Sequence, residues 1–267
     1  MGTIDDAQWE IIMKLKHIAM VSLSMFVGAT AFAADGFSAN QEKMIEKVVH
    51  DYLVKNPEVL VEASQALQAK QQKDMQQQAS AFIQNNAQTL LNEKITVAGS
   101  EKPSVTVIEF FDYQCGHCQK MNPIIKELIS KNKNVKVVYR EFPIFGKTSI
   151  VASQAAIAAG LQGKYLQMQQ LLFSEKKIDE KVVMELAKKA GLDMKKFQAD
   201  MKGQVVNDLI NQNRKLAESM KLFGTPVFIV MATPNGQFNS AVQPVLIPGS
   251  TSLDNFQAMI NKVAEAK

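Results

Sequence analysis

The chain has 267 residues, and its 30 Lys and Arg against 26 Asp and Glu leave a net charge of only +4. That is mild for this length and no basic stripe is interleaved with aromatics, so composition argues against nucleic-acid binding. Two cysteines and three histidines, two of them far from the cysteines, are too few for a four-ligand structural zinc site; the 14 methionines are spread along the chain and read as core filler rather than as a copper site.

From Met13 the chain reads MKLKHIAMVSLSMFVGATAFA. Lys14 and Lys16 form a short basic region. Ile18 to Ala29 is apolar but short for a membrane span, and Ala31-Phe32-Ala33 is a small-x-small cleavage signal. Residues 1–33 therefore read as upstream residues plus a secretory signal peptide whose start is Met13, since Asp5, Asp6 and Glu10 do not suit the front of one. An uncleaved anchor is the alternative. Export implies an oxidising compartment.

Residues 34–98 read as a helical region. Ser38 with Gln41 is a capping box, and Met44, Ile45, Val48, Val49, Tyr52 and Leu53 follow as an apolar stripe. Asn56-Pro57 stops one helix and starts the next. The second runs from about Pro57 to about Asn92, and its glutamine-rich middle has little to bury. A helix that long spans roughly 50 Å, more than one compact neighbour can cover. Pairing with a second copy through residues 38–92 is the economical solution; a solvated linker helix is the alternative. Gly99 to Pro103 reads as a hinge.

Residues 99–267 read as α/β. Strands are expected at Val105–Phe111, Val135–Arg140, Pro226–Met231 and about Val242–Ile247, the last two as a hairpin turning near Pro234-Asn235-Gly236. Helical patterning covers Gln119–Ser130, five segments between Ile150 and Leu222, and Ser252–Ala266. The helical insertion is about 149–222.

Cys115 and Cys118 fall at the first strand-to-helix junction, in the run FFDYQCGHC (Phe110 to Cys118). A thiol on the first turn of a helix meets free backbone N–H groups and the positive end of the dipole, which favour a thiolate. Haem attachment needs His after the second cysteine, and Gln119 stands there. A structural disulfide would close a tiny loop and stabilise little. A redox-active dithiol is the better reading. His117 can place polarised N–H character near Cys115, which makes the disulfide oxidising, and Gly116 keeps the turn permissive. Cys115 is expected to be exposed and attacking, Cys118 more buried and resolving.

This organisation, with FFDYQCGHC and Gly224-Thr225-Pro226-Val227-Phe228, resembles the thioredoxin superfamily. It is most similar to the dimeric, envelope-located DsbA-type thiol–disulfide oxidoreductases that carry an N-terminal helical extension. The resemblance implies a thioredoxin-like fold with an inserted helical subdomain, preceded by a dimerisation region, and no cofactor or metal. It implies that Cys115 and Cys118 attack and resolve, that Pro226 is the cis-proline beside the site with Thr225 offering its backbone to substrate, and that Glu109 assists proton transfer at Cys118. A half-exposed Glu109 paired with a lysine is the other reading. Tyr113 and Phe145 are expected to line a groove for unfolded substrate. DsbA itself has proline where Gly116 stands; Cys-Gly-His-Cys, and Thr before the cis-proline, are the choices of disulfide isomerases.

The function expected is a thiol:disulfide oxidoreductase of the periplasm, free or associated with the outer membrane. It would form and isomerise disulfides in exported proteins, with a membrane redox partner (a quinone-linked oxidase or a reductase). The competing class is an envelope chaperone or surface binding protein using the fold as a scaffold.

Overall fold

The computed structural model describes residues 37–266, and the expected signal peptide and start at Met13 lie outside them. The chain divides into two compact units between Leu67 and Gln68. In the first, helix α1 (Ala39–Lys55) starts on the expected capping box: Ser38 Oγ accepts from Gln41 N, and the Gln41 side chain accepts from Ser38 N. None of its residues is buried, and Met44, Ile45, Val48, Val49 and Tyr52 form an exposed apolar face. Helix α2 (Glu58–Leu91) begins in this unit and continues into the second, with non-helical backbone at Asn86.

The second unit is built on a five-stranded sheet in the order β1-β3-β2-β4-β5. The strands are β1 (Val97–Gly99), β2 (Val105–Phe111), β3 (Val135–Glu141), β4 (Val227–Ala232) and β5 (Val245–Pro248). Only β2 and β3 run parallel, joined by the crossover helix α3 (Gly116–Lys131); the other pairings are antiparallel. Between β3 and β4 lies the helical insertion: α4 (Lys147–Gly160), α5 (Tyr165–Ser174), α6 (Glu180–Lys189), α7 (Met194–Met201) and α8 (Gln204–Ser219). Helix α9 (Leu253–Glu265) closes the chain against α3 and the sheet. Asp179 and Asp193 cap α6 and α7 by accepting from Val182 N and Lys196 N.

Every residue of β2 is buried, as a strand covered on both faces requires. Val105, Val107 and Phe111 join Val137, Tyr139 and Phe228 in a core shared with α3, α9 and the insertion. Ile108 and Phe110 join Val138, Ile229 and Met231 in a second core on the opposite face.

That second core corrects the expected domain boundary. Ala79, Ile83, Ala87 and Leu90 of α2 are buried in it, together with Leu216 and Ala217 of α8, so the compact unit starts well before residue 99. Of the expected hinge Gly99 to Pro103, Gly99 belongs instead to β1, whose Val97, Ala98 and Gly99 pair with Val138, Val137 and Lys136. The expected pairing of the last two strands is present, β4 and β5 being antiparallel neighbours with a short 3₁₀ turn at Pro234–Gly236, but a long loop rather than a tight turn joins them.

Candidate active site

The site forms where β2 ends and α3 begins. Cys115 is the N-cap of α3, with extended backbone and no side-chain cap, so the N–H groups of the first turn stay oriented toward it. Its own N–H donates to Asp112 O at 3.1 Å, and its carbonyl accepts from Gln119 N at 3.0 Å. Both cysteines are free thiols.

Cys115 is not exposed as expected: 5% of it is accessible, against 0% for Cys118. The cover comes from a segment 110 residues downstream, where the Cys115 Sγ–H donates to Thr225 O at 3.2 Å. The order of access is nevertheless the one an attacking and a resolving thiol need. Burial pushes the Cys118 thiol well above the ordinary range, against a backbone contact from Asp112 that favours the thiolate, and the Glu109 and Cys115 charges add to the rise.

The Thr225–Pro226 peptide is cis, in the segment that lies on Cys115. Beside it is an apolar recess lined by Leu222, Thr225, Pro226, Val227, Leu246 and Pro248, with Phe223 almost wholly exposed at 89%. His117 is exposed and its Nδ1 lies 3.1 Å from Ser250 Oγ. Gly116 is not needed for the turn: its φ is not positive, and a Cβ there would meet nothing within 4 Å.

Glu109 is buried, not half-exposed beside a lysine. Burial first, then the charges of Glu141 and Cys115, raise its carboxyl to about 8. Tyr113 is no groove residue: it is 1% exposed, packed on Phe111 and Phe173, with its hydroxyl donating to Glu141 Oε1 at 3.0 Å. Phe145 is exposed, with Ile144 beside it.

Two functional positions were missed by the sequence reading. Asp112 fastens the active-site turn. Its Oδ1 accepts from Gln114 N at 2.7 Å and Ser149 Oγ at 2.7 Å, and its Oδ2 from Ile144 N at 2.7 Å and Phe145 N at 3.1 Å. An Asp directly after a strand and just before a helix is a turn-forming signal that could have found it. Glu141 is the other, and the alternation Val135, Val137, Tyr139, Glu141 places it on the inward face with the thiols. Its chain neighbour Arg140 points to the opposite face. There Nη1 lies 3.6 Å from Glu93 Oε2 and donates to Asn213 Oδ1 at 3.1 Å, while Nη2 donates to Thr89 O at 2.9 Å and Leu90 O at 2.8 Å. Among the described residues no group of three or more His, Cys, Asp or Glu is placed to hold a metal ion.

A lone dithiol at a helix N-terminus, with a buried carboxyl behind the inner sulfur, is equipped for thiol–disulfide exchange. Known proteins agree. Residues 106–261 match the DSBA-like thioredoxin domain, and residues 41–73 match the copper resistance protein ScsC N-terminal domain. The crystal structure of BcfH from Salmonella enterica Typhimurium superposes with a TM-score of 0.69 at 31% identity, over 84% of this chain and 96% of that one. The thiol:disulfide interchange protein DsbA of Bordetella parapertussis is 27% identical over 57% of this chain and 75% of its own. A Na(+)/H(+) antiporter, NhaA 1 of Salinispora arenicola, is 31% identical over 50% of this chain. The chain spans only about a fifth of such antiporter relatives, 21% of that one. Among the described residues no helix is long and apolar enough to cross a membrane.

Proposed function

This chain belongs to the DsbA-like thioredoxin-domain family of thiol–disulfide oxidoreductases, and on that premise we propose that Cys115 and Cys118 exchange disulfides with exported proteins in the periplasm. The observation that carries the reading is the sulfur pair itself. The less buried thiol caps α3 under the Thr225 carbonyl, and the inner thiol has Glu109 within electrostatic reach.

In the oxidising direction a client thiolate attacks Cys115 Sγ of the Cys115–Cys118 disulfide. The S–S bond breaks, Cys118 leaves with the electron pair, and Glu109 supplies its proton. A second client thiolate then attacks the client sulfur of the mixed disulfide, Cys115 leaves as thiolate, and the client is oxidised by two electrons as the enzyme is reduced. In the reverse direction Cys118 gives its proton to Glu109 and displaces the client from Cys115. The half-buried backbone at Thr225 and the apolar recess beside Pro226 suit an extended, unfolded segment. A membrane redox partner, quinone-linked oxidase or reductase, resets the pair.

Isomerisation is part of this proposal. Its support is the Gly116-His117 dipeptide together with the uncovered apolar face of α1, which fits a second copy of the chain and would bring two sites into one assembly. The test is insulin reduction by wild type and Cys115→Ser. The reading expects activity in the first and none in the second; equal rates would favour the binding-scaffold alternative. Deleting residues 34–67 should then spare insulin reduction and lower the recovery of a scrambled multi-disulfide substrate. Equal loss of both would remove the isomerase part.

A further inference from the structure

Two buried carboxyls, Glu109 and Glu141, share the face of the sheet that carries the thiols. Glu109 stands opposite Tyr139 in the β2–β3 register, and Glu141 stands opposite Phe111, one inward position further along. They are 3% and 0% exposed. No cation offsets them among the described residues, because Arg140 is committed to Glu93, Asn213 and the end of α2 on the other face.

Their surroundings are unequal. Glu141 accepts three hydroxyl hydrogen bonds: Tyr113 at 3.0 Å and Tyr165 at 2.8 Å on Oε1, and Ser153 at 2.8 Å on Oε2. Both phenols keep their protons, since burial and then the Glu141 charge push them well above the ordinary phenol range. Burial raises the Glu141 carboxyl to about 8 as well, and the Asp112 charge adds to the rise, but the three hydroxyl donors pull it back toward ionisation, which nothing among the described residues does for Glu109. Among the described residues no hydrogen bond reaches the Glu109 carboxyl; it feels burial and the charges of Glu141 and Cys115. Two like charges this close do not ionise together freely, and the pair gives up its protons in two steps. The first leaves from the site with the donors.

We propose that Glu141, held by Tyr113, Tyr165 and Ser153, is a positioning residue that keeps the proton on Glu109 and so times proton exchange with Cys118. This rests on the reading of Glu109 as the proton partner of Cys118. The groups facing Glu109 are Tyr139 and Glu141 from β3, Cys115 at the N-cap of α3 and Cys118 in its first turn, Tyr113 from the turn before it, and Phe228, its apolar register partner on β4. Tyr139 is held protonated by burial and by Glu109. Of the groups that carry charge, only Glu141 lies outside the exchange chemistry.

The test uses the reduced full chain and an aromatic disulfide that releases a coloured thiolate. Cys115 thiolate attacks and releases one thiolate. Cys118 then passes its proton to Glu109 and attacks Cys115 Sγ; the Cys115–Cys118 bond forms and the second aromatic thiolate leaves with its electron pair. The rate of the second release is read against pH. In the wild type it rises through the ionisation of Glu109, near the value of about 8 set by its burial. Glu109→Gln should flatten that rise; an unchanged profile would remove Glu109 from the reaction and the inference with it. In Glu141→Gln the rise should persist with its midpoint lower by about half a pH unit or more, because a like charge has gone. Tyr165→Phe, a milder change that keeps the carboxyl, should move the midpoint the same way, because Glu141 loses a donor and ionises less readily. Should Glu109→Gln flatten the profile while both other variants leave the midpoint in place or raise it, the role of Glu141 is refuted and that of Glu109 stands.

Discussion

Replacing Glu109 with Leu should make the protein more stable and its exchange chemistry slower. In the folded protein the carboxyl is raised to about 8 from an ordinary value of 4.5, first by burial and then by Glu141 and Cys115. The unfolded chain releases the proton near the ordinary value, so between the two values the native state binds more protons than the unfolded state. Stability from this group is therefore fully present below about pH 4.5 and is lost as pH rises toward about 8. Each unit is worth about 1.4 kcal/mol, so from about pH 5 to about pH 8.5 the wild type should lose about 4 kcal/mol relative to Glu109→Leu. Relaxation around the ionised carboxyl makes that figure a ceiling. Urea unfolding of the reduced proteins at both pH values gives the difference directly. Parallel stability–pH curves for wild type and variant would refute the claim that Glu109 is protonated in the fold.

Two further perturbations probe other parts of the account. Arg140→Met should cost about 3–5 kcal/mol in urea unfolding at neutral pH, because it leaves Glu93 as a buried charge and strips partners from the Thr89 and Leu90 carbonyls; a loss under about 1 kcal/mol would mean the arginine does not hold the end of α2 on the sheet. Val48→Asp should place a charge in the exposed apolar face of α1 and lower the mass seen by sedimentation, with insulin reduction unchanged; an unaltered mass would remove that face from self-association.

The chemistry was legible where local patterns suffice. Val105–Phe111, the Cys-Gly-His-Cys turn and the α3 periodicity place both thiols without tertiary information, and β2 has the expected bounds. What escaped depends on distant partners. Strand β1 is three residues long, too short for alternation to show, and exists because it pairs with β3. The buried seam of α2, Ala79, Ile83, Ala87 and Leu90, is one narrow residue per turn, two of them alanines, among glutamines and asparagines; without the sheet opposite, it reads as part of a face for a second copy of the chain. Cover over Cys115 comes from Thr225 and could not be read at Cys115 itself. Glu141 was readable from alternation alone, but the hydroxyls that make it distinctive come from the active-site turn, α4 and α5.

Division of labour between the two sulfurs is tested most directly by trapping the mixed disulfide. Cys118→Ser, incubated with a cysteine-containing unfolded peptide in disulfide form and digested for mass spectrometry, should carry the peptide on Cys115 as a long-lived adduct. The reverse variant, Cys115→Ser, should carry almost none, because Cys118 is fully enclosed and its thiol is held protonated by burial. Equal adduct yields in the two variants would contradict the assignment of Cys115 as the attacking thiol.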